Sequence, residues 1–220
     1  MDHGKTLSFS LVSNFMFMDD RIFEFCIREG LGVSTSLDGP KDIHNTQRIS
    51  RKKGVDPHGI VTRWIRRFQE ASQKGRGVRS IGALTTLTRQ AMAYPREIVD
   101  EYVGLGLSGI FLRPVQPFGR MKKDGSRDLS VPADRFIRFY RKAMGRIFEV
   151  NRQGLLFREA NAQIFLQKIL RGRDPNFMDM RSPCGAGIGQ MAYNYNGDVY
   201  SCDEGRMFSA ANGDETFRLG

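Results

Sequence analysis

Two of the chain's three cysteines, Cys184 and Cys202, bracket the stretch "SPCGAGIGQMAYNYNGDVYSCDEG" at 182–205. Thiolates beside a glycine-rich loop can hold zinc or an iron-sulfur cluster, because glycine lets the backbone close around a compact group. Either group ordinarily takes four protein ligands, and only two are local. The third cysteine, Cys26, lies in the amphipathic run "DDRIFEFCIREG", where an inert buried thiol is the expected role. A disulfide, two buried thiols and half of a metal site are the three readings of the pair. The first residues lack the basic-then-apolar pattern of a secretory leader, so a reducing cytoplasm is the expected location, which weighs against the disulfide.

A second set of polar residues falls where short β-rich runs end: Ser13-Asn14, Ser36-Leu37-Asp38-Gly39, Thr86 to Arg89, and Arg113-Pro114 with Gln116. In a parallel sheet, ligands bind beyond the carboxyl ends of the strands. Singly, such residues also terminate strands and cap helices; four rims in agreement favour a site. No glycine-rich phosphate loop and no serine nucleophile elbow occurs. His3, His44 and His58 show no metal-ligand spacing and read as loop residues. The adjacent carboxylates at 19–20, 100–101 and 203–204 diverge on a helix and make no acid–base pair.

The elements that must position these groups alternate. Strands are predicted at 7–14, 32–39, 78–88 and 109–115, and helices at 19–30, 59–75, 95–106, 132–154 and 158–172. This order predicts an α/β fold with a parallel sheet of right-handed crossovers. Four strands are too few for a closed eight-stranded barrel. From residue 184 the pattern becomes a small appendage: Met191, Tyr193 and Tyr195 alternate before Asn196-Gly197, predicting a tight hairpin with both turn residues at positive φ.

At 220 residues and 40% hydrophobic, the chain can bury one large core. The net charge of +10 permits an acidic peptide or nucleic acid. Its arginines are interleaved with core-spaced aromatics, as in "RFIRFYRKAMGRIF", which reads as solvated helix faces and makes nucleic acid an unfavoured partner. No apolar run reaches the roughly 18 residues of a membrane span, so no membrane partner is expected.

"SLVSNF", "GVSTSLDGPKDIHNTQR", "LRPVQPFG" and the spacing Cys184, twelve residues, Gly197, four residues, Cys202 resemble the radical S-adenosylmethionine (SAM) enzymes that carry a SPASM or twitch extension. Within that family the likeness is to maturases of His-Xaa-Ser repeat peptides. The resemblance implies a partial (β/α)6 barrel over 1–154, a linking helix and loop over 155–183, and the start of an auxiliary-cluster domain over 184–220. It implies reductive cleavage of SAM to a 5′-deoxyadenosyl radical that abstracts hydrogen from a ribosomally made peptide or protein, with electrons from a donor partner. Asn14, Ser36, Arg48 and Leu112 would contact SAM, Arg48 through its carboxylate and Leu112 near the adenine. Cys184 and Cys202 would ligate an auxiliary [4Fe-4S] cluster. The family's radical-generating triad, three cysteines spaced by three and then two residues, is absent, as is its GGE segment. The chain is therefore expected to be an internal fragment of a longer protein, inactive alone. A noncatalytic basic α/β module for acidic peptide or nucleic acid is the alternative, and a zinc-stabilised domain a third.

Overall fold

The computed structural model describes residue 4 and residues 7–50, 52–77, 80–116, 129–172, 177–178 and 181–220. The end of the "LRPVQPFG" run and part of the loop before Ser182 lie outside these. The chain divides into two compact units, residues 1–114 with 131–161, and residues 115–130 with 162–220.

The first unit is α/β. Strands β1 (Ser10–Val12), β2 (Gly32–Ser36), β3 (Ser80–Leu87) and β5 (Leu112–Pro114) form a four-stranded sheet in that order, parallel throughout. Strand β4 (Gly109–Ile110) pairs in parallel with β6 (Arg158–Glu159). The predicted strand 109–115 thus breaks at Phe111: its first half faces β6 and its second half β3. Parallel pairing puts every carboxyl end on one rim.

Helix α1 (Asp20–Arg28) starts where the Asp19 carboxylate accepts from Ile22 N–H at 2.8 Å, and it buries Phe23, Cys26 and Ile27. Cys26 is 1% exposed and burial pushes its thiol pKa up, as an inert core thiol requires. Helix α3 (Pro57–Gln73) is capped by Asp56, begins on proline, and buries Val61, Trp64, Ile65, Phe68 and Ala71 along one stripe. Helix α5 (Ala133–Arg152) buries Phe139, Ala143, Ile147 and Val150, and α4 (Pro95–Gly104) buries Ile98, Val99 and Tyr102. These stripes share one core with Phe15, Leu37, Leu87 and Leu112, each large side chain contributing about 1.5–3 kcal/mol on burial.

Two elements depart from the sequence reading. Lys41–Gln47, expected to be irregular, forms helix α2 behind Pro40. Arg158–Glu159, expected to open a helix, is strand β6, and helix α6 begins only at Ala160 and runs to Arg171. Helical periodicity in the residues that follow hides a two-residue strand whose pairing is wholly non-local.

In the second unit, β7 (Ala192–Tyr193) and β8 (Val199–Tyr200) pair antiparallel, and α7 spans Asp203–Asn212. The hairpin is present, but its turn is not the two-residue one expected. Asn194 N–H donates to Asp198 C=O at 2.8 Å, so three residues form the loop; of Asn196 and Gly197 only the glycine has a positive φ, +95°. The Asn196 side chain instead accepts from Asp198 N–H at 3.2 Å and donates to its carboxylate at 2.6 Å, holding Asn196 at negative φ. Residues 217–220 bond the other side of β8, through Ser201 N–H to Phe217 C=O at 2.9 Å and Leu219 N–H to Val199 C=O at 2.7 Å.

Candidate functional site at the carboxyl ends of the strands

Asp38, two residues past β2, is the hub of the rim. It is 1% exposed and accepts from Arg48 Nε at 2.7 Å, Arg48 Nη2 at 3.1 Å and Thr86 N–H at 3.0 Å. One carboxylate thereby ties the end of β2 to β3 and to the residue after α2. The next residue must be glycine. Gly39 has φ +127°, and a Cβ there would lie 2.8 Å from Ile98 Cγ1 on α4. Beneath the hub, Tyr102 O–H donates to Leu37 C=O at 2.6 Å and shares a 2.5 Å bond with Thr85 Oγ1; complete burial pushes the phenol pKa up.

His44 completes the hub from α2. Its Nδ1 accepts from Asp38 N–H at 3.1 Å, and it has no exposed surface. Burial pushes the imidazole down to about 4, outweighing the opposing pull of Asp38, so the ring is neutral near pH 7. With Nδ1 accepting, the ring proton sits on Nε2, which is buried and has no partner among the described residues. Helix α2 is pinned to α3 by Asn45 Nδ2 to Asp56 Oδ1 (2.8 Å), His58 N–H to Asn45 Oδ1 (2.9 Å) and Lys41 to Asp56 (2.8 Å). Lys41 and Asn45 hold the Asp56 carboxyl far below the usual range.

A cavity of about 840 Å³ opens beside this hub. Asn14, His44, Gln47, Arg48, Ser50 and Lys52 are its polar lining residues, and Met16, Phe17, Ile49, Ile60 and Val61 are among its apolar ones. On its β1 side the backbone is strained: Phe15, fully buried against Phe68, holds φ +58°, unusual for a residue with a Cβ. The adjacent Asn14 accepts from Met16 N–H at 3.1 Å through its Oδ1.

The candidate residues divide. Asn14 and Arg48 line the cavity together; Ser36 and Leu112 are not among its lining residues. Ser36 is the half-buried last residue of β2, in register with Leu84. Leu112 is fully buried, its N–H donating to Glu159 Oε1 at 3.2 Å and its carbonyl accepting from Asn161 Nδ2 at 3.3 Å. Arg48 commits two of its five N–H donors to Asp38. Sequence reasoning passed over His44 as a loop residue, and Glu159, 3% exposed and bonded to Tyr140 O–H at 2.5 Å, as part of a helix. Both owe their place to non-local packing; the only local signal for His44 is its position six residues after Asp38.

In the second unit, Cys184 is exposed and Cys202 half-buried, both as free thiols. Gly187 N–H, three residues past Cys184, donates to Ser201 C=O, one residue before Cys202, at 2.7 Å, so the glycine loop and the end of β8 are joined. Cys202 is the N-cap of α7: its Sγ accepts from Gly205 N–H at 3.2 Å. Among the described residues no group of three or more His, Cys, Asp or Glu side chains is arranged to hold a metal. Two thiols do not satisfy a [4Fe-4S] cluster, which takes four ligands.

No protein-family model matches the chain, and no curated protein matches it. Solved structures do match, and they define the fold as the partial (β/α) barrel of radical SAM enzymes. These are structures of anSMEcpe, an anaerobic sulfatase-maturating radical SAM enzyme. The hexahistidine-tagged form with bound AdoMet superposes with a TM-score of 0.78 at 20% identity, over 96% of this chain and 53% of that one. The native form with AdoMet gives 0.77 at 21% over 96% and 52%, and the form with AdoMet and the Kp18Cys peptide 0.72 at 20% over 96% and 53%. The chain spans about half the length of these neighbours. Among the described residues no helix is long and apolar enough to cross a membrane.

Proposed function

We propose that this chain is the core of a radical SAM enzyme that modifies a peptide, with SAM seated at the carboxyl-end rim of the parallel sheet. The observation that carries the reading is the cavity of about 840 Å³ at that rim, lined by Asn14 and Arg48 and bordered by the Asp38 hub. Its donor-rich floor and apolar wall suit a ligand with a carboxylate and an apolar body. In this reading Asn14 and Arg48 bind the polar parts of SAM, Arg48 with the donors that Asp38 leaves, while Ser36 and Leu112, the other two expected contacts, lie outside the cavity lining. Bound SAM supplies a carbon-centred radical when it is reductively cleaved. The chain's own residues bind and orient: Asp38 fixes the Arg48 guanidinium, and Met16, Phe17 and Ile60 offer apolar surface to the ligand's apolar part. The peptide bound to one structural neighbour supports a peptide substrate, and the His-Xaa-Ser type is the finer expectation.

Cys184 and Cys202 are the proposed first two ligands of an auxiliary cluster in a SPASM-like appendage over 184–220. Their remaining partners are not among the described residues, and no step is assigned to that cluster. The test is anaerobic iron-sulfur reconstitution of the full-length protein encoded around this reading frame, with a reductant as electron donor. The expected result is the charge-transfer absorbance of thiolate-bound iron and release of 5′-deoxyadenosine from SAM. A reconstituted full-length protein without bound iron would overturn the reading, and bound zinc in its place would favour a structural metal domain.

A further inference from the structure

Helix α5 carries an exposed face that neither the core nor α4 covers. Its inward residues Phe139, Ala143, Ile147 and Val150 are buried, and its α4 side is held by Arg146 to Asp100 at 2.6 Å and by Glu149 to Arg96 at 2.6 Å. On the remaining side Ile137 is 51% and Phe148 55% exposed, with half-buried Met144 between them at helical spacing. Exposed Arg141, Gly145 and Arg152 run alongside, and the face is about 22 Å long. Both carboxylates of the helix are engaged, Asp134 by Arg138 at 2.6 Å and Glu149 by Arg96 and Arg146. Arg141, Lys142 and Arg152 are left with no ion pair among the described residues. Gly145 sits mid-helix, where glycine is less stable than alanine, yet a Cβ there would meet nothing within 4 Å. No packing among the described residues requires this glycine, and it leaves a hole between Arg141 and Phe148.

We propose that this face of α5 docks an acidic amphipathic helix of a partner protein. The partner's carboxylates pair with Arg141, Lys142 and Arg152, and one of its apolar side chains fills the hole at Gly145 against Phe148, as a knob does in helix packing. Charge complementarity selects an acidic partner, because three cations are unmatched while both carboxylates of the helix are already engaged. Ile137 and Phe148 select a protein among polyanions. A nucleic-acid backbone pairs with the cations but offers those two side chains nothing apolar, and a membrane takes a broad apolar face, which α5 keeps in the core. Arginine beside a large aromatic is also the composition that interface centres favour. The proposal does not depend on SAM binding.

The test titrates the 220-residue chain into fluorescently labelled probes and reads polarisation. The probes are a helical peptide of leucine and glutamate with its leucines on one face, a peptide of the same composition with the leucines scattered, and a DNA duplex; phosphatidylglycerol vesicles are tested by co-sedimentation. We expect the one-faced peptide to bind about tenfold tighter than the scattered one, and Phe148→Ala to remove that advantage. Arg141→Glu combined with Arg152→Glu is expected to weaken binding by about a hundredfold. Gly145→Leu is expected to raise Tm, since leucine is the better helix former, and still to weaken the one-faced peptide about tenfold, which a merely structural glycine would not do. All four positions are exposed, and circular dichroism checks that each variant is folded. Equal binding of the two peptides, or binding that Phe148→Ala and Gly145→Leu leave unchanged, overturns the inference by reducing the face to its charge. Duplex or vesicle binding tighter than that of the one-faced peptide, and lost on the double charge reversal, overturns it in favour of that partner. Failure of the folded wild-type chain to bind the one-faced peptide also overturns it.

Discussion

Replacing Asp38 with alanine tests whether the rim is built on this one carboxylate. The side chain is 1% exposed and receives three donors, Arg48 Nε at 2.7 Å, Arg48 Nη2 at 3.1 Å and Thr86 N–H at 3.0 Å. Removing one member of a buried pair costs about 3–5 kcal/mol when its partner stays buried. The Arg48 side chain is 32% exposed, so water takes up part of its charge, and the lower end, about 3 kcal/mol, applies. For a chain of this size that is a fall of roughly 6–12 °C in Tm. Asp38→Asn, which keeps the shape and one acceptor, is expected to lose about 1–2 kcal/mol. Urea unfolding followed by circular dichroism reads both, and a double-mutant cycle with Arg48→Met is expected to give a coupling of about 1.5–3 kcal/mol. A loss under about 1 kcal/mol for Asp38→Ala would place the pair with ordinary surface ion pairs and refute the reasoning.

Three more outcomes follow from the same geometry. Because burial lowers His44 from 6.5 in the unfolded chain to about 4, the unfolded state binds the extra proton first; stability is full above pH 6.5 and falls as the pH drops toward 4, by on the order of 3 kcal/mol, a slope that His44→Asn should flatten in urea titrations. Gly39→Ala forces a Cβ to within 2.8 Å of Ile98 at φ +127° and should cost about 3 kcal/mol, whereas the same substitution made in an Ile98→Ala background, and compared with Ile98→Ala alone, should cost less, leaving only the backbone strain in the Tm difference. Cys202→Ala should remove the α7 cap and lose about 1 kcal/mol, while Cys202→Ser retains an acceptor for Gly205 N–H and should match the wild-type Tm. Equal losses in the two cysteine variants would show that the sulfur does not cap the helix.

Much of the scaffold was legible because its signals are local. The stripe Val61, Trp64, Ile65, Phe68 is written within the helix expected over 59–75, and that helix formed, though it starts at Pro57 behind an Asp56 cap that lies before the expected start. So did the parallel order of the strands, since alternating β and α runs admit few other arrangements. Two of the failures are non-local. Strand β6 exists only because Gly109 and Ile110 pair with it, and α2 only because its side chains anchor to Asp56 and Asp38. The hairpin turn went wrong where two local bonds of Asn196 outweighed the preference of the Asn-Gly pair for two positive φ angles.

The sequence by itself determined the α/β class, the polar character of the strand ends and the presence of two thiols flanking a hairpin, because residue type and short spacing suffice for these. Only the tertiary structure decided which rim residues meet. It joined Asp38, His44, Arg48 and Thr86 in one hydrogen-bonded hub, drew Asn14 and Arg48 to the same cavity, and buried Leu112 under Glu159. A carboxylate looks the same in sequence whether it ends a strand in water or holds two strands and a helix together. The difference is the desolvation that packing imposes, and packing involves residues as far apart as Asp38 and Thr86.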